Sequence, residues 1–230
     1  MRYQLQTEVL RADKETDGRF KAGKPVGNID EATRLEQLWN GEFGDQYVSR
    51  NATAGGGRGP FWSWHASRFP AARVLEIGCN VGANLRHFVD VVEPNGLWGV
   101  DINETALTQA REALPSVNIG WASARELPFR DGFFDLSVSV AVLIHQPSET
   151  IGEAIDELVR CSRRFVTVIE YTAPEVVEVA YRGQTGAFFK RPFGDLIAQR
   201  HPALELSHRQ NITKADGFDD GMECFVFAKH

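Results

Sequence analysis

From about Ala72 onward the chain alternates short apolar runs, rich in β-branched and aromatic residues, with stretches of helical periodicity. They read "RVLEIG" then "ANLRHFVDVV", "LWGVDI" then "TALTQAREAL", "VNIGWA", "FDLSVSVAVL" then "ETIGEAIDELVRC", and finally "RFVTVIEY". Parallel strands cannot be joined by tight turns, so this spacing predicts a mostly parallel sheet with helices on both faces. In the segment 149–161, Ile151, Ile155, Leu158 and Val159 form one apolar stripe, and Glu153, Asp156 and Glu157 are expected to face water. The end of the chain changes character. "FGDLIAQRHP" reads as a helix, and "LELSHRQNI" and "MECFVFAKH" flank the turn-rich "TKADGFDDG", predicting a closing hairpin whose antiparallel strands bring the sheet to seven.

Upstream, residues 1–30 mix charge, Gly and Pro without periodicity and are expected to be a mobile arm. Residues 31–60 place Leu35, Leu38, Trp39, Phe43 and Tyr47 at helical spacing, interrupted by Gly41 and Gly44. Two short helices are expected there, followed by a flexible hinge at Gly55–Gly57, together forming a lid on a domain over 61–230. A chain of 230 residues with 43% hydrophobic content can bury one good core. Its net charge of −6, without long Lys/Arg runs, argues against a nucleic-acid surface and points to a small-molecule partner. No stretch is long and apolar enough for a membrane span, and the polar start lacks a signal-peptide core, so a cytoplasmic location is expected. The three separated cysteines and the scattered histidines have no metal-ligand spacing. Oligomeric state is not legible.

The run "VLEIGCNVGANL" (74–85) breaks into small residues between strand and helix. Such a loop presents unpaired backbone N–H groups that a ligand can approach closely. A dinucleotide fingerprint would need glycine at 78, 80 and 83, and only Gly78 qualifies, which ranks a nicotinamide enzyme last. The spacing that works is Glu76, Gly78, Asn80 and Gly82, with Asn80 tolerating the left-handed backbone that glycine usually supplies. About 20 residues on, Asp101 ends "LWGVDIN", where an acid can accept hydrogen bonds from both ribose hydroxyls.

"LEIGCNVG" resembles the first motif of class I S-adenosylmethionine (SAM) dependent methyltransferases, E/D-x-G-x-G-x-G, departing from it at Asn80. "ASARELPFRDGFFDL" is similar to the same family's G-D-A-x-x-L-P-F-x-D-x-x-F-D-L, with Ser123 in place of aspartate. The resemblance implies a Rossmann-like class I methyltransferase fold and SAM as cofactor. Gly78, Asn80 and Gly82 would then form its cradle, Glu76 and Asp101 would supply carboxylates, Ile102 would lie on adenine and Ser123 near its amino group. Further segments, "EQLWNGEFGDQYVSRN", "VLIH", "ELVRCSRRFVTVIEY" and "YRGQTGAFFKRPF", resemble the pseudaminic acid biosynthesis-associated methylases, implying an acceptor among nonulosonic sugars or nucleotide-sugars.

Methyl transfer from a sulfonium needs alignment, exclusion of water and removal of an acceptor proton. Trp39, Phe43, Tyr47, Tyr171 and Tyr181 are candidates to face the sulfonium. His145, following the fourth strand, is the first candidate base, with Glu170 and Tyr171 at the next strand end as alternatives or partners. Tyr181, Arg182, Lys190 and Arg191 lie in an insertion at 173–192 expected to overhang the acceptor, their charge suiting an anionic one. Two other functions stay open: cyclisation of SAM itself, releasing methylthioadenosine and forming azetidine-2-carboxylate, and a non-catalytic SAM-binding module.

Overall fold

In a computed structural model, residues 30–51 and 55–230 are described; of the expected arm at 1–30, residues 1–29 lie outside them. The chain runs α1 (Glu31–Asn40), α2 (Glu42–Arg50), α3 (Gly59–Arg68), β1 (Val74–Ile77), β2 (Leu97–Asp101), α4 (Glu104–Ala113), β3 (Asn118–Trp121), β4 (Phe134–Val140), α5 (Ile151–Cys161), β5 (Ser162–Tyr171), β6 (Val177–Glu178), β7 (Phe189–Lys190), α6 (Phe193–Arg200), β8 (Leu204–Ile212) and β9 (Met222–Lys229). Seven strands form one sheet in the order β3-β2-β1-β4-β5-β9-β8. The first five are parallel, and β9 and β8 join antiparallel to each neighbour. This is the expected α/β architecture with its closing hairpin, the second strand of the hairpin inserted next to β5.

Strand alternation divides the core. Leu75, Ile77, Trp98, Val100, Val166 and Val168 pack on one face of the sheet, with the apolar stripe of α5. Val74, Leu97, Leu136, Val138 and Val226 pack on the other, against Phe61 and Trp62 of α3. Side chains i and i+2 share a face, so a buried parallel sheet needs apolar residues at nearly every position, as these strands have. Helix α3 was not foreseen, although Pro60 in its first turn and Phe61, Trp62 and His65 on one side are a helical signal.

Two expectations fail. The first crossover holds no α-helix, only 3-10 turns at Leu85–His87 and Pro94–Gly96 among other turns. Gly82 is left-handed there (φ 76°), and the side chain of Asn84 is drawn inward instead of facing along a helix surface. Glu157 does not face water: it is buried, accepts the Leu127 N–H at 2.7 Å, and pairs with Arg160.

The two lid helices are present, but the break falls at Gly41 alone. Gly44 lies inside α2, where a Cβ would meet the Trp39 carbonyl oxygen at 1.8 Å. Gly55–Gly57 form a packed turn: the Gly55 carbonyl accepts from the Arg58 N–H and from His87 Nε2, and Gly57 lies against Gly217. Among the described residues, no helix is long and apolar enough to cross a membrane.

Candidate active-site cleft

The parallel strands end along one edge, and a cleft of about 420 Å³ lies there. Its floor is the loop after β1, and its walls are the ends of β2, β4 and β5; α1, α2 and the 173–192 insertion cover it. Open α/β sheets bind ligands at this position because the crossovers on either side diverge.

Three residues within five are left-handed in the floor loop: Gly78 (φ 63°), Asn80 (φ 49°) and Gly82 (φ 76°). A Cβ at Gly78 would sit 2.3 Å from Val142 Cγ2, and one at Gly82 would sit 2.5 Å from Leu114 Cδ1. The loop is therefore folded between the β4 end and the end of α4, and Gly82 acts beneath the cleft without lining it. The Asn80 N–H donates to Asp101 Oδ2 and the Asn103 N–H to Asp101 Oδ1, both at 2.9 Å. Burial raises the Asp101 pKa, and these backbone donors oppose the shift. Asp101 lines the cleft, and its carboxylate oxygens retain accepting capacity. Among the described residues Asn80 Oδ1 is buried without a hydrogen-bond partner.

Glu76 lies under the loop. Burial pushes its pKa up to about 8, and Oε1 accepts from Asn84 Nδ2 at 2.6 Å. Asn84 Oδ1 in turn accepts from Arg58 Nη1 at 2.8 Å and Trp62 Nε1 at 3.2 Å. Arg58 and Asn84 both line the cleft, and sequence reasoning missed both. The signal was slight: an Arg inside a glycine-rich stretch, and an Asn at the start of a failed helix.

His145 lines the cleft with its ring 4.3 Å, centre to centre, from that of Trp39. Its Nδ1 is 2.6 Å from the Ala187 carbonyl, which can only accept, so Nδ1 carries the proton and Nε2 the lone pair. Burial lowers its pKa to about 4, leaving the imidazole neutral at pH 7. Tyr47, whose pKa burial raises to about 12, lines the cleft with Tyr171 and Tyr181. The Tyr181 ring stacks on Phe188 at 5.5 Å. Tyr171 donates to Asp219 Oδ2 at 2.6 Å, and burial followed by that carboxylate raises its pKa.

Other expected site residues stand elsewhere. Glu170 is fully buried and does not reach the cleft. Its carboxylate accepts from the N–H groups of Val142, Leu143 and Ile144 and from Ser139 Oγ, fixing the loop that carries His145. Arg191 is also inside, donating to the Gln146 carbonyl at 2.8 Å, and Lys190 does not line the cleft. Ser123 turns its hydroxyl to Glu36 Oε1 of α1 at 2.5 Å, with Arg125 on the same carboxylate, while Ala122 and Ala124 line the cleft beside Ile102. Of the three insertion cations, Arg182 alone lines it, exposed and left-handed (φ 50°).

The lid is fastened twice to the loops it covers. Glu36 holds Ser123 and Arg125 after β3, and Asn103 after β2 donates through Nδ2 to the Trp39 carbonyl and Asp45 Oδ1, both at 3.0 Å.

Comparison with known proteins places this geometry. Residues 74–164 match a family model described as "Methyltransferase domain". A phthiotriol/phenolphthiotriol dimycocerosates methyltransferase of Mycobacterium ulcerans is 33% identical over 70 residues, 30% of this chain and 26% of that protein. The curated relatives matched are covered over only 26–37% of their length. Among solved structures, the Burkholderia thailandensis 1,6-didemethyltoxoflavin-N1-methyltransferase, bound to 1,6-didemethyltoxoflavin and S-adenosylhomocysteine, is similar with a TM-score of 0.66 and 15% identity over 90% of this chain and 93% of that one. Magnesium protoporphyrin IX methyltransferase of Synechocystis PCC 6803 with bound SAM is similar with a TM-score of 0.63 and 15% identity, covering 90% and 100%. The fold is thus the Rossmann-like fold of SAM-dependent methyltransferases.

Proposed function

We propose that this protein is a SAM-dependent methyltransferase acting on a small acceptor. The observation that carries the reading is the Asp101 carboxylate, fixed by the Asn80 and Asn103 N–H groups and open to the cleft beside a left-handed loop. That arrangement fits an adenosyl ligand: the remaining lone pairs of Asp101 accept from two ribose hydroxyls, Ile102 offers an apolar face, and the unpartnered Asn80 Oδ1 takes a donor. Bound there, SAM supplies a methyl group on a good leaving group.

The chain's own residues then align, enclose and deprotonate. Trp39 and Tyr47 close over the cleft from the lid, exclude water and offer ring faces to a cation, worth about 0.5–2 kcal/mol. His145 Nε2 accepts the acceptor's proton, its tautomer set by the Ala187 carbonyl. Glu170 positions His145 through the loop N–H groups. The anionic sugar implied by the family resemblance keeps one supporting cation lining the cleft, Arg182, since Arg191 is buried on the Gln146 carbonyl and Lys190 does not line it.

One observation favours a second reading. A cleft of about 420 Å³ lies in the lower part of the roughly 300–1,000 Å³ range for a single small-molecule site, and the lid is fastened over it. Little room remains for an acceptor, which suits cyclisation of SAM. Incubation with SAM alone, followed by mass spectrometry, separates the readings. Methyl transfer gives S-adenosylhomocysteine only when an acceptor is added, and cyclisation gives methylthioadenosine without one. Neither product with any acceptor tried, alongside tight SAM binding, would leave a binding module.

A further inference from the structure

The edge of the sheet away from the cleft carries a cluster of arginines, in a chain whose net charge is −6. Arg73 directly precedes β1, Arg130 stands ahead of β4, Arg163 and Arg164 lie at the start of β5, and Arg68 ends α3. Contacts draw these segments together. The guanidinium groups of Arg73 and Arg130 both lie against the Phe133 ring, 4.6 and 5.2 Å from its centre. Asp135 accepts from the Arg73 N–H at 2.9 Å and pairs with the Arg163 side chain. Arg164 lies over the Phe165 ring at 4.9 Å and donates through Nη1 to the Pro70 carbonyl at 3.1 Å.

Of these five, Arg163 alone pairs with a carboxylate among the described residues; Asp131, next to Arg130 in the chain, is held by Arg160. Arg68, Arg130, Arg163 and Arg164 are exposed, and Arg73 is half-buried. A guanidinium stacked on a ring is already oriented and loses little freedom on binding. Like charges gathered in this way repel one another, a cost that an anionic partner removes. Beside them is a recess. Ala66, Phe69, Pro70, Val74, Phe88 and Val91 help line an apolar pocket of about 70 Å³ between the end of α3 and the crossover after β1, and Pro70 is both its wall and the acceptor for Arg164. That volume is about half of the roughly 150 Å³ that admits benzene, so it suits one small aliphatic side chain.

We infer that this face is a docking surface for an acidic polypeptide segment, which places one aliphatic side chain in the pocket and its carboxylates on the arginine cluster. Docking there leaves the cleft at the opposite strand ends open, and the inference does not depend on what the cleft binds. A nucleic acid fits less well: its affinity comes from many phosphates along a continuous basic track, and this track is short and set in a chain of net negative charge. A lipid surface also fits less well, because it takes up a protruding apolar face and the apolar feature here is a recess.

The test is fluorescence anisotropy with the full chain at low ionic strength and three labelled probes: a short peptide of Asp and Glu with one central Leu, the same peptide with Ala in place of Leu, and an oligothymidylate. Flotation with phosphatidylserine vesicles supplies a fourth. The Leu peptide should bind saturably, weaken as salt is added, and bind roughly threefold or more tighter than the Ala peptide. Arg130→Ala and Arg164→Ala combined in one chain should weaken it roughly tenfold or more, with the melting temperature within about 3 °C of the unaltered chain. The comparison of the two peptides needs no variant and decides the role of the pocket even where the double variant fails to fold. No saturable binding of the Leu peptide, equal affinity for the two peptides, or unchanged affinity in a folded double variant overturns the inference. Tighter binding of the oligothymidylate or the vesicles than of the Leu peptide overturns it as well, and gives the face to that partner.

Discussion

The floor of the cleft and its cover are built on different principles. The floor is backbone: Gly78, Asn80 and Gly82 in left-handed conformation, two N–H groups on Asp101, and a buried Glu76–Asn84 contact. Each contact joins residues within a crossover or between neighbouring strands. The cover is side chains from distant parts of the chain, with Trp39 on His145, Tyr181 on Phe188, Glu36 on Ser123 and Arg125. A floor of this kind serves any adenosyl ligand, whereas a cover of this kind decides what reacts with it.

The largest expected effect lies on the cover. His145→Ala should lower turnover by roughly 10²- to 10⁴-fold with donor affinity nearly unchanged, as single-turnover kinetics and equilibrium binding would measure. A fall in affinity as large as the fall in rate would move His145 to the floor. Its pH profile sharpens the point. The folded pKa near 4 lies below the ordinary 6.5, so the Nε2 lone pair persists as pH falls and is lost only through about pH 4. The acid limb of kcat/KM assigned to His145 should therefore fall near 4; a limb near 6.5 would mean a solvated imidazole.

On the floor, Gly78→Ala should cost about 2–4 kcal/mol of stability, from left-handed strain plus the clash with Val142, read by denaturant unfolding. A cost below about 1 kcal/mol would mean the loop relaxes freely. Asp101→Ala should weaken SAM binding by about 1–3 kcal/mol in equilibrium dialysis, and unchanged affinity would remove the ribose contact. The smallest effect is on the fastening. Glu36→Gln should cost under about 1 kcal/mol globally, yet speed proteolysis within 31–50 while the sheet stays intact.

The same division explains what the sequence disclosed. The succession of strands, the closing hairpin and the Asn80 turn were legible because period-2 burial and left-handed preference are local properties. Glu170 and Arg191, expected as ligand groups, lie buried and do not line the cleft. Each stands at the right edge, but the bend that delivers His145 leaves backbone N–H groups at 142–144 and carbonyls at 143 and 146 that these two side chains satisfy. Ser123 likewise faces α1, a contact across 87 residues that no motif encodes. The crossover after β1 carried a helical pattern, but Asn84 serves Glu76 and Arg58 instead.

Titration of the purified chain with S-adenosylhomocysteine, run beside NAD⁺ in the same calorimeter, bears most directly on the central claim that the β1 loop and Asp101 hold an adenosyl sulfur ligand. Saturable one-site binding of the first and no measurable binding of the second is the predicted result. No saturable heat with S-adenosylhomocysteine, or equal binding of NAD⁺, would contradict it.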